Sequence, residues 1–282
     1  THCISSAASD VYKRQGMKYE RWGEVYLLRP DPQVIWPYFK EPDRVDGIYR
    51  RSDKGGGAWS FPGRVPQSWT VSRKGLTFKI KPMGFKHTGL FPEQAANWDW
   101  MSGLIERAQR PVKVLNLFGY TGGATAALAQ AGAAVVHVDA AKNMVAQGRE
   151  NLALSGLEDK PVRWIVDDCR KFAEREIRRG NKYDGIIMDP PSYGRGPSGQ
   201  IWKLEDELYP FVSLCMNVLS DNPLFILINS YTTGLQPLVL YNILTKLTKN
   251  LGGRVDAQEV GLPVTRGGII LPCGASGRWQ KD

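Results

Sequence analysis

Cysteine is scarce in this chain: four in 282 residues, at positions 3, 169, 215 and 273. They are widely spaced and form no C-x-x-C pair, so neither a zinc site nor a disulfide framework is indicated. No run of residues approaches the apolar length of a membrane span. Internal repeats and low-complexity tracts are missing, which excludes solenoids and compositionally biased tails. Also missing are the G-x-G-x-x-G fingerprint that seats a dinucleotide pyrophosphate and any evident Tyr-Lys pair, so a nicotinamide oxidoreductase is a poor reading. Together these absences fit a cytoplasmic protein without a structural metal.

The charge is mildly one-sided, with 37 Lys and Arg against 28 Asp and Glu and a formal net charge of +9. Such an excess is compatible with a nucleic-acid partner without requiring one. The first residues, THCISSAASDVYKRQ, show no periodicity and precede Gly16-Met17, a plausible true start. The segment DVYKRQ looks like translated sequencing adapter, and residues 1–16 read as a non-native tail.

What is present centres on residues 112–139, VKVLNLFGYTGGATAALAQAGAAVVHVD. The branched apolar run Val112, Val114, Leu115, Leu117 predicts a buried parallel strand. Gly119, Gly122 and Gly123 make a turn, an Ala-rich helix follows, and a second apolar strand closes on Asp139. This is one βαβ unit with a nucleotide-type site at the strand C-termini. Glycines let the backbone approach a ligand with no Cβ in the way, and the helix N-terminus offers unpaired N–H groups. An acid ending the second strand can accept both hydrogen bonds of a ribose diol. G-Y-T-G-G lacks the pyrophosphate spacing, so the turn suits an adenosine without phosphates, such as S-adenosylmethionine, better than a dinucleotide; a glycine turn with no ligand is the bland alternative.

Residues 17–83 read as a small β-rich N-terminal domain of short strands and many breakers. A strand is expected over 24–28, stopping at Arg29-Pro30-Asp31-Pro32, and a hairpin over 69–72 and 76–80 around Lys74-Gly75. In LTFKIK the apolar residues Leu76, Phe78 and Ile80 alternate with polar ones, which gives a basic face better explained by solvation than by docking. The tryptophans Trp22, Trp36, Trp59 and Trp69 read as core rather than base-stacking platforms. Residues 84–282 form the second domain. A helix opens at Pro92-Glu93-Gln94 and runs to about Ala108, and the lone His87 reads as a structural hydrogen-bonder.

Past Asp139, helices and strands alternate. Strands over 162–166, 185–188 and 224–228 end at Asp167-Asp168, Asp189-Pro190-Pro191 and Asn229-Ser230. Helices fill the intervals, and a terminal hairpin is expected over 254–260 and 269–271. The expected fold is α/β, a seven-stranded Rossmann-like sheet with one antiparallel strand. Successive strands ending in acids on one edge line one pocket. Asp-Pro-Pro is the sharpest signal: two prolines remove two N–H donors and stiffen the backbone beside a carboxylate. Tyr193 adds a flat face for a substrate ring.

NLFGYTGGAT, HVDAAKNMV, WIVDDCRKF and IIMDPPSYGRG, in this order and spacing, resemble class I S-adenosylmethionine-dependent methyltransferases, and within them the bacterial 23S ribosomal RNA group with a β-rich N-terminal part. The resemblance covers roughly residues 88–279. It implies that S-adenosyl-L-methionine is the cofactor and that RNA, ribosomal in particular, is the acceptor. It lays HTGLFPEQ, with Phe91, over the methionine end of the cofactor. Phe118, Gly119, Tyr120, Thr121 and Gly122 would shape the methionine-side turn, and Asp139 would bind the ribose hydroxyls. Ala140 and Met144 would lie near the adenine, whose amino group Asp168 would accept, in preference to Asp167. Asp189, Pro190 and Tyr193 would sit at the transfer point, with Asp189 also touching the cofactor. Relatives that methylate cytosine carbon 5 use a Cys near Asp-Pro-Pro or after the fifth strand. Here those places read Ser192 and Asn229-Ser230-Tyr231-Thr232, which favours nitrogen methylation. A methyltransferase for protein or small molecules, and a non-catalytic cofactor- or RNA-binding module, are the rival readings.

Overall fold

The computed structural model describes residues 16–36, 42–52, 56–195, 201–265 and 267–282. The expected tail, but for Gly16, and Lys54-Gly55 of the expected glycine loop lie outside these residues. The described chain forms two compact units, the first ending at Ala95 and taking in Gly261–Cys273, the second comprising Ala96–Val260 and Gly274–Asp282.

In the first unit, β1 (Met17–Trp22), β2 (Val25–Pro30), β3 (Gly47–Arg51) and β4 (Gly57–Ser60) form a four-stranded sheet in that order. β1 is absent from the sequence expectation, and β2 continues through Arg29 to Pro30. The reason is an ion pair: Glu20 of β1 accepts two hydrogen bonds from Arg29 of β2, at 2.5 and 2.7 Å, and both side chains are buried. A charged strand is legible only once its partner is known. β5 (Trp69–Arg73) and β6 (Leu76–Ile80) form the expected hairpin, with Lys74 and Gly75 at φ 49 and 84, the backbone a type I′ turn needs. Leu76, Phe78 and Ile80 are buried.

Residues 84–95, read from sequence with the second part of the chain, cluster with the first unit. Backbone bonds from Lys81 to Thr88 and from Met83 to His87 fasten them there, as do Arg29 to the Lys86 carbonyl (2.7 Å) and Lys86 to the Pro30 carbonyl (3.0 Å). The tip of the C-terminal hairpin joins this unit through Val264 and Leu271, packed with Val34.

Past a 3-10 turn over Pro92–Gln94 the chain runs through α1 (Ala95–Ala108), β7 (Lys113–Leu117), α2 (Gly123–Gln130), β8 (Ala134–Asp139), α3 (Lys142–Leu154), β9 (Val162–Val166), α4 (Cys169–Arg178) and β10 (Gly185–Met188). There follow β11 (Tyr193–Arg195), β12 (Ile201–Lys203), α5 (Leu204–Met216), β13 (Phe225–Ser230), α6 (Pro237–Leu247), β14 (Arg254–Pro263) and β15 (Ile270–Gln280). Seven strands form one sheet in the order β14-β15-β13-β10-β7-β8-β9. β13, β10, β7, β8 and β9 pair in parallel and β15 runs antiparallel to β13, the α/β sheet expected. Every residue of β10 and β13 is buried, as central strands covered on both faces must be.

The hairpin strands extend well beyond expectation because β15 tolerates glycine where neighbours press close. A Cβ at Gly277 would lie 2.7 Å from Leu240 of α6, and one at Gly274 would lie 2.7 Å from the Ser230 carbonyl. The hairpin of β11 and β12 has no counterpart in the sequence expectation.

Candidate active site at the strand ends

The site is built at the C-terminal ends of β7 to β10. After β7 the chain turns through two non-glycine left-handed residues, Phe118 (φ 58) and Tyr120 (φ 50), and then Gly122 (φ 77), before α2 begins. Such backbone is costly and persists only when its surroundings hold it. Here the holding groups are identifiable. Gly119 N–H donates to the Val138 carbonyl at 3.0 Å, and Tyr120 N–H to Asp139 at 2.9 Å. Asn151 donates to the Thr121 carbonyl at 2.8 Å. Gly119 must be glycine, since a Cβ there would sit 2.4 Å from the His137 ring.

Beneath the turn lies a buried polar chain that the sequence reading missed. Asn116 donates to Thr125 Oγ1 at 2.9 Å, and Thr125 lies 2.9 Å from His137 Nδ1. Burial lowers the His137 pKa to about 3, so the imidazole is neutral at physiological pH. Its one sequence signal is a histidine inside the apolar run AVVHVD.

Asp139 is half-buried at the end of β8. One carboxylate oxygen accepts the Tyr120 N–H and the other the Ala141 N–H at 2.8 Å. Each oxygen has a second lone pair, so the carboxylate is oriented and still able to accept a diol. Ala140 is exposed and Met144 of α3 half-buried. At the end of β9 the two acids differ. Asp167 accepts the Asp168 N–H at 2.9 Å and pairs with Arg175. Asp168 caps α4, one oxygen accepting the Lys171 N–H at 2.9 Å.

After β10, Asp189 is half-buried, Pro190 buried, and Tyr193 52% exposed at the start of β11. The structure thus brings Phe118 to Gly122, Asp139, Ala140, Met144, Asp168, Asp189, Pro190 and Tyr193 to the strand ends of one sheet. Phe91 belongs to the first unit, half-buried with its ring edge-on to His87 at 5.5 Å. His87 itself is held neutral: burial, then Arg29, Lys86 and Lys18, lower its pKa to about 4.

The arrangement fits an adenosine-based cofactor bearing no phosphates. An anchored acid able to accept from a diol closes β8, and the glycine turn offers backbone rather than cationic side chains. No group of His, Cys, Asp and Glu among the described residues is arranged to hold a metal ion, and no described helix is long and apolar enough to cross a membrane.

A parallel sheet with this site at its edge defines a Rossmann-like nucleoside-cofactor enzyme. A sequence profile of S-adenosylmethionine-dependent methyltransferases matches residues 48–206, and the chain belongs to that family. The crystal structure of an S-adenosylmethionine-dependent methyltransferase from Agrobacterium tumefaciens is 36% identical, with a TM-score of 0.92 over 98% of this chain and 90% of its own. The protein SMU.776, crystallised with S-adenosylhomocysteine, shares 18% identity and a TM-score of 0.74 over 99% of this chain and 76% of its own, a likeness of fold alone. Ribosomal RNA large subunit methyltransferase K/L of Shewanella baltica is 35% identical over 121 residues, and that of Methylococcus capsulatus 32% over 145. Those stretches are 42% and 51% of this chain but 16% and 19% of the relatives. The protein is a methyltransferase and its cofactor is S-adenosyl-L-methionine.

Proposed function

We propose that this enzyme methylates a base nitrogen of ribosomal RNA in the cytoplasm. Two observations support an RNA acceptor: the similarity to proteins named for ribosomal RNA, and the net charge of +9. The observation that carries the nitrogen reading is the 189–193 loop at the end of β10, a carboxylate on a proline-stiffened turn with no thiol beside it.

In this reading Phe118, Gly119, Tyr120, Thr121 and Gly122 hold the methionine portion, Asp139 the ribose, and Ala140, Met144 and Asp168 the adenine. When bound, the cofactor supplies a methyl group already activated on a sulfonium. The protein's task is then alignment, which can supply much of the rate. Asp189 and the Pro190 carbonyl orient the acceptor amine, Tyr193 lies against its ring, and the Asp189 carboxylate takes up the displaced proton.

A pyrimidine ring carbon such as cytosine carbon 5 is a poor nucleophile until a thiolate adds to the ring. Burial pushes the Cys169 thiol well up and the Cys215 thiol to about 12. The Cys273 thiol is likewise raised by burial and lies in the first unit. The test is transfer from radiolabelled S-adenosylmethionine into a lysate lacking this activity, with RNA, protein and small molecules then separated. Label is expected in ribosomal RNA, on a base nitrogen by nucleoside mass spectrometry, and retained with Cys273→Ser. Label only in protein or metabolites would overturn the acceptor.

A further inference from the structure

We propose that Trp202 is a positioning residue for methyl transfer, fixing the 189–193 loop against the turn that follows β7. The proposal rests on the reading of Asp189, Pro190 and Tyr193 as the transfer point.

Proline rings fix φ at 190 and 191, and Pro191 confines ψ at 190, but ψ at 191 is not so confined and the direction of the Pro191 carbonyl needs another restraint. For Pro191 it is the Trp202 indole, whose Nε1–H donates to the Pro191 carbonyl at 2.7 Å. The same ring lies 5.7 Å from Phe118, tilted, and 5.7 Å from Phe211, edge-on. Phe118 is the left-handed residue that opens the glycine turn. One side chain therefore touches both the loop that would align the acceptor and the turn that would hold the cofactor.

The strand register extends the effect to Tyr193. Gly194 pairs with Trp202, and Tyr193 with Lys203. Because side chains alternate across a strand, the face that packs Trp202 inward turns Tyr193 and Ile201 outward, 52% and 53% exposed. Two ties beyond the indole hold Ser192. Its carbonyl accepts the Leu204 N–H at 3.0 Å, and its hydroxyl lies 2.7 Å from Thr232 Oγ1, which donates to it. Misplacing a reacting group by about 1 Å can cost on the order of 100-fold in rate, so a loop held at these points has kinetic consequences.

Trp202→Phe keeps a ring between Phe118 and Phe211 but removes the donor. With the acceptor that the transfer assay identifies, kcat is expected to fall by at least about 10-fold, while the Kd for S-adenosylmethionine stays within about twofold. Hydrogen exchange should quicken at the Ser192 to Gly194 amides and remain unchanged in β10, a pattern that a general loss of packing would not give. Should Trp202→Phe fail to fold, Trp202→Leu also lacks the donor. Wild-type kcat, or a slower enzyme with unchanged loop exchange, overturns the role of Trp202. Asp189→Ala is run alongside. If it loses transfer while Trp202→Phe does not, only the Trp202 proposal falls. If Asp189→Ala transfers like wild type, the transfer point is misassigned and both fall.

Discussion

The sheet of the first unit is ordered by buried charges: Glu20 and Arg29 form a two-bond pair, with Lys18 reaching Glu20 at 3.5 Å and Asp31 at 3.2 Å. Beneath the strand ends of the second unit the buried polar groups are neutral, while Glu176 of α4, also fully buried, bonds to Tyr183, Arg179 and Asn181 away from that edge. Asn116, Thr125 and His137 lie under the glycine turn, and Asn97, Asn229 and Ser276 bond to one another at the end of β13. At those strand ends the carboxylates of Asp139 and Asp189 sit half-buried at the rim instead. The two placements serve different ends. Glu20 is saturated by its partners: burial works to raise its pKa, but Arg29 and Lys18 outweigh burial and hold it at about 2. It orders a sheet and has nothing left for a ligand. Asp139 is oriented by two backbone N–H groups and keeps acceptor capacity.

Removing one partner of the buried pair should therefore have the largest effect on stability. Glu20→Ala leaves Arg29 buried without its counter-ion and is expected to cost about 3–5 kcal/mol, read by urea unfolding. Gly119→Ala, which drives a Cβ onto His137, should cost about 1–3 kcal/mol and weaken cofactor binding as well, seen by calorimetry. If Gly119→Ala binds the cofactor normally, the turn is not the methionine-side wall. Asp168→Ala removes the α4 cap and should cost about 1 kcal/mol. A loss of cofactor affinity beyond that cost would mark Asp168 as an adenine contact.

Acid should affect both units through one histidine each. His87 and His137 have folded pKa values lowered to about 4 and about 3, from an ordinary 6.5. Between those values the unfolded chain binds more protons than the folded one. Their contribution is thus fully present above about pH 6.5 and is lost as the pH falls toward 4 and then 3. His87→Gln should flatten the upper part of that decline in an unfolding series. An unchanged pH profile would show that His87 is solvated rather than enclosed by Arg29, Lys86 and Lys18.

The sheet, and the glycine turn and acids at its strand ends, were legible in the sequence because their signals are local. A glycine turn between apolar strands, acids at strand ends and a double proline are each read within a few residues. What stayed hidden depends on partners distant in sequence. β1 carries Lys18, Glu20 and Arg21, a pattern that suggests solvent until Arg29 is placed opposite. β15 contains Gly274 and Gly277, which break a strand pattern on paper but allow Ser230 and Leu240 to approach. His137 gives no sign of its bond to Thr125, and Trp202, in the middle of a three-residue strand, gives none of its bond to Pro191.

The most direct test places binding and chemistry side by side in Asp189→Ala, since the account separates an edge that holds the cofactor from a loop that aligns the acceptor. S-adenosylmethionine affinity and label transferred to ribosomal RNA are measured on the same preparation. Transfer is expected to fall about 100-fold or more, with affinity changed by less than about tenfold. Transfer that falls only in step with affinity, or remains at the wild-type rate, would contradict it.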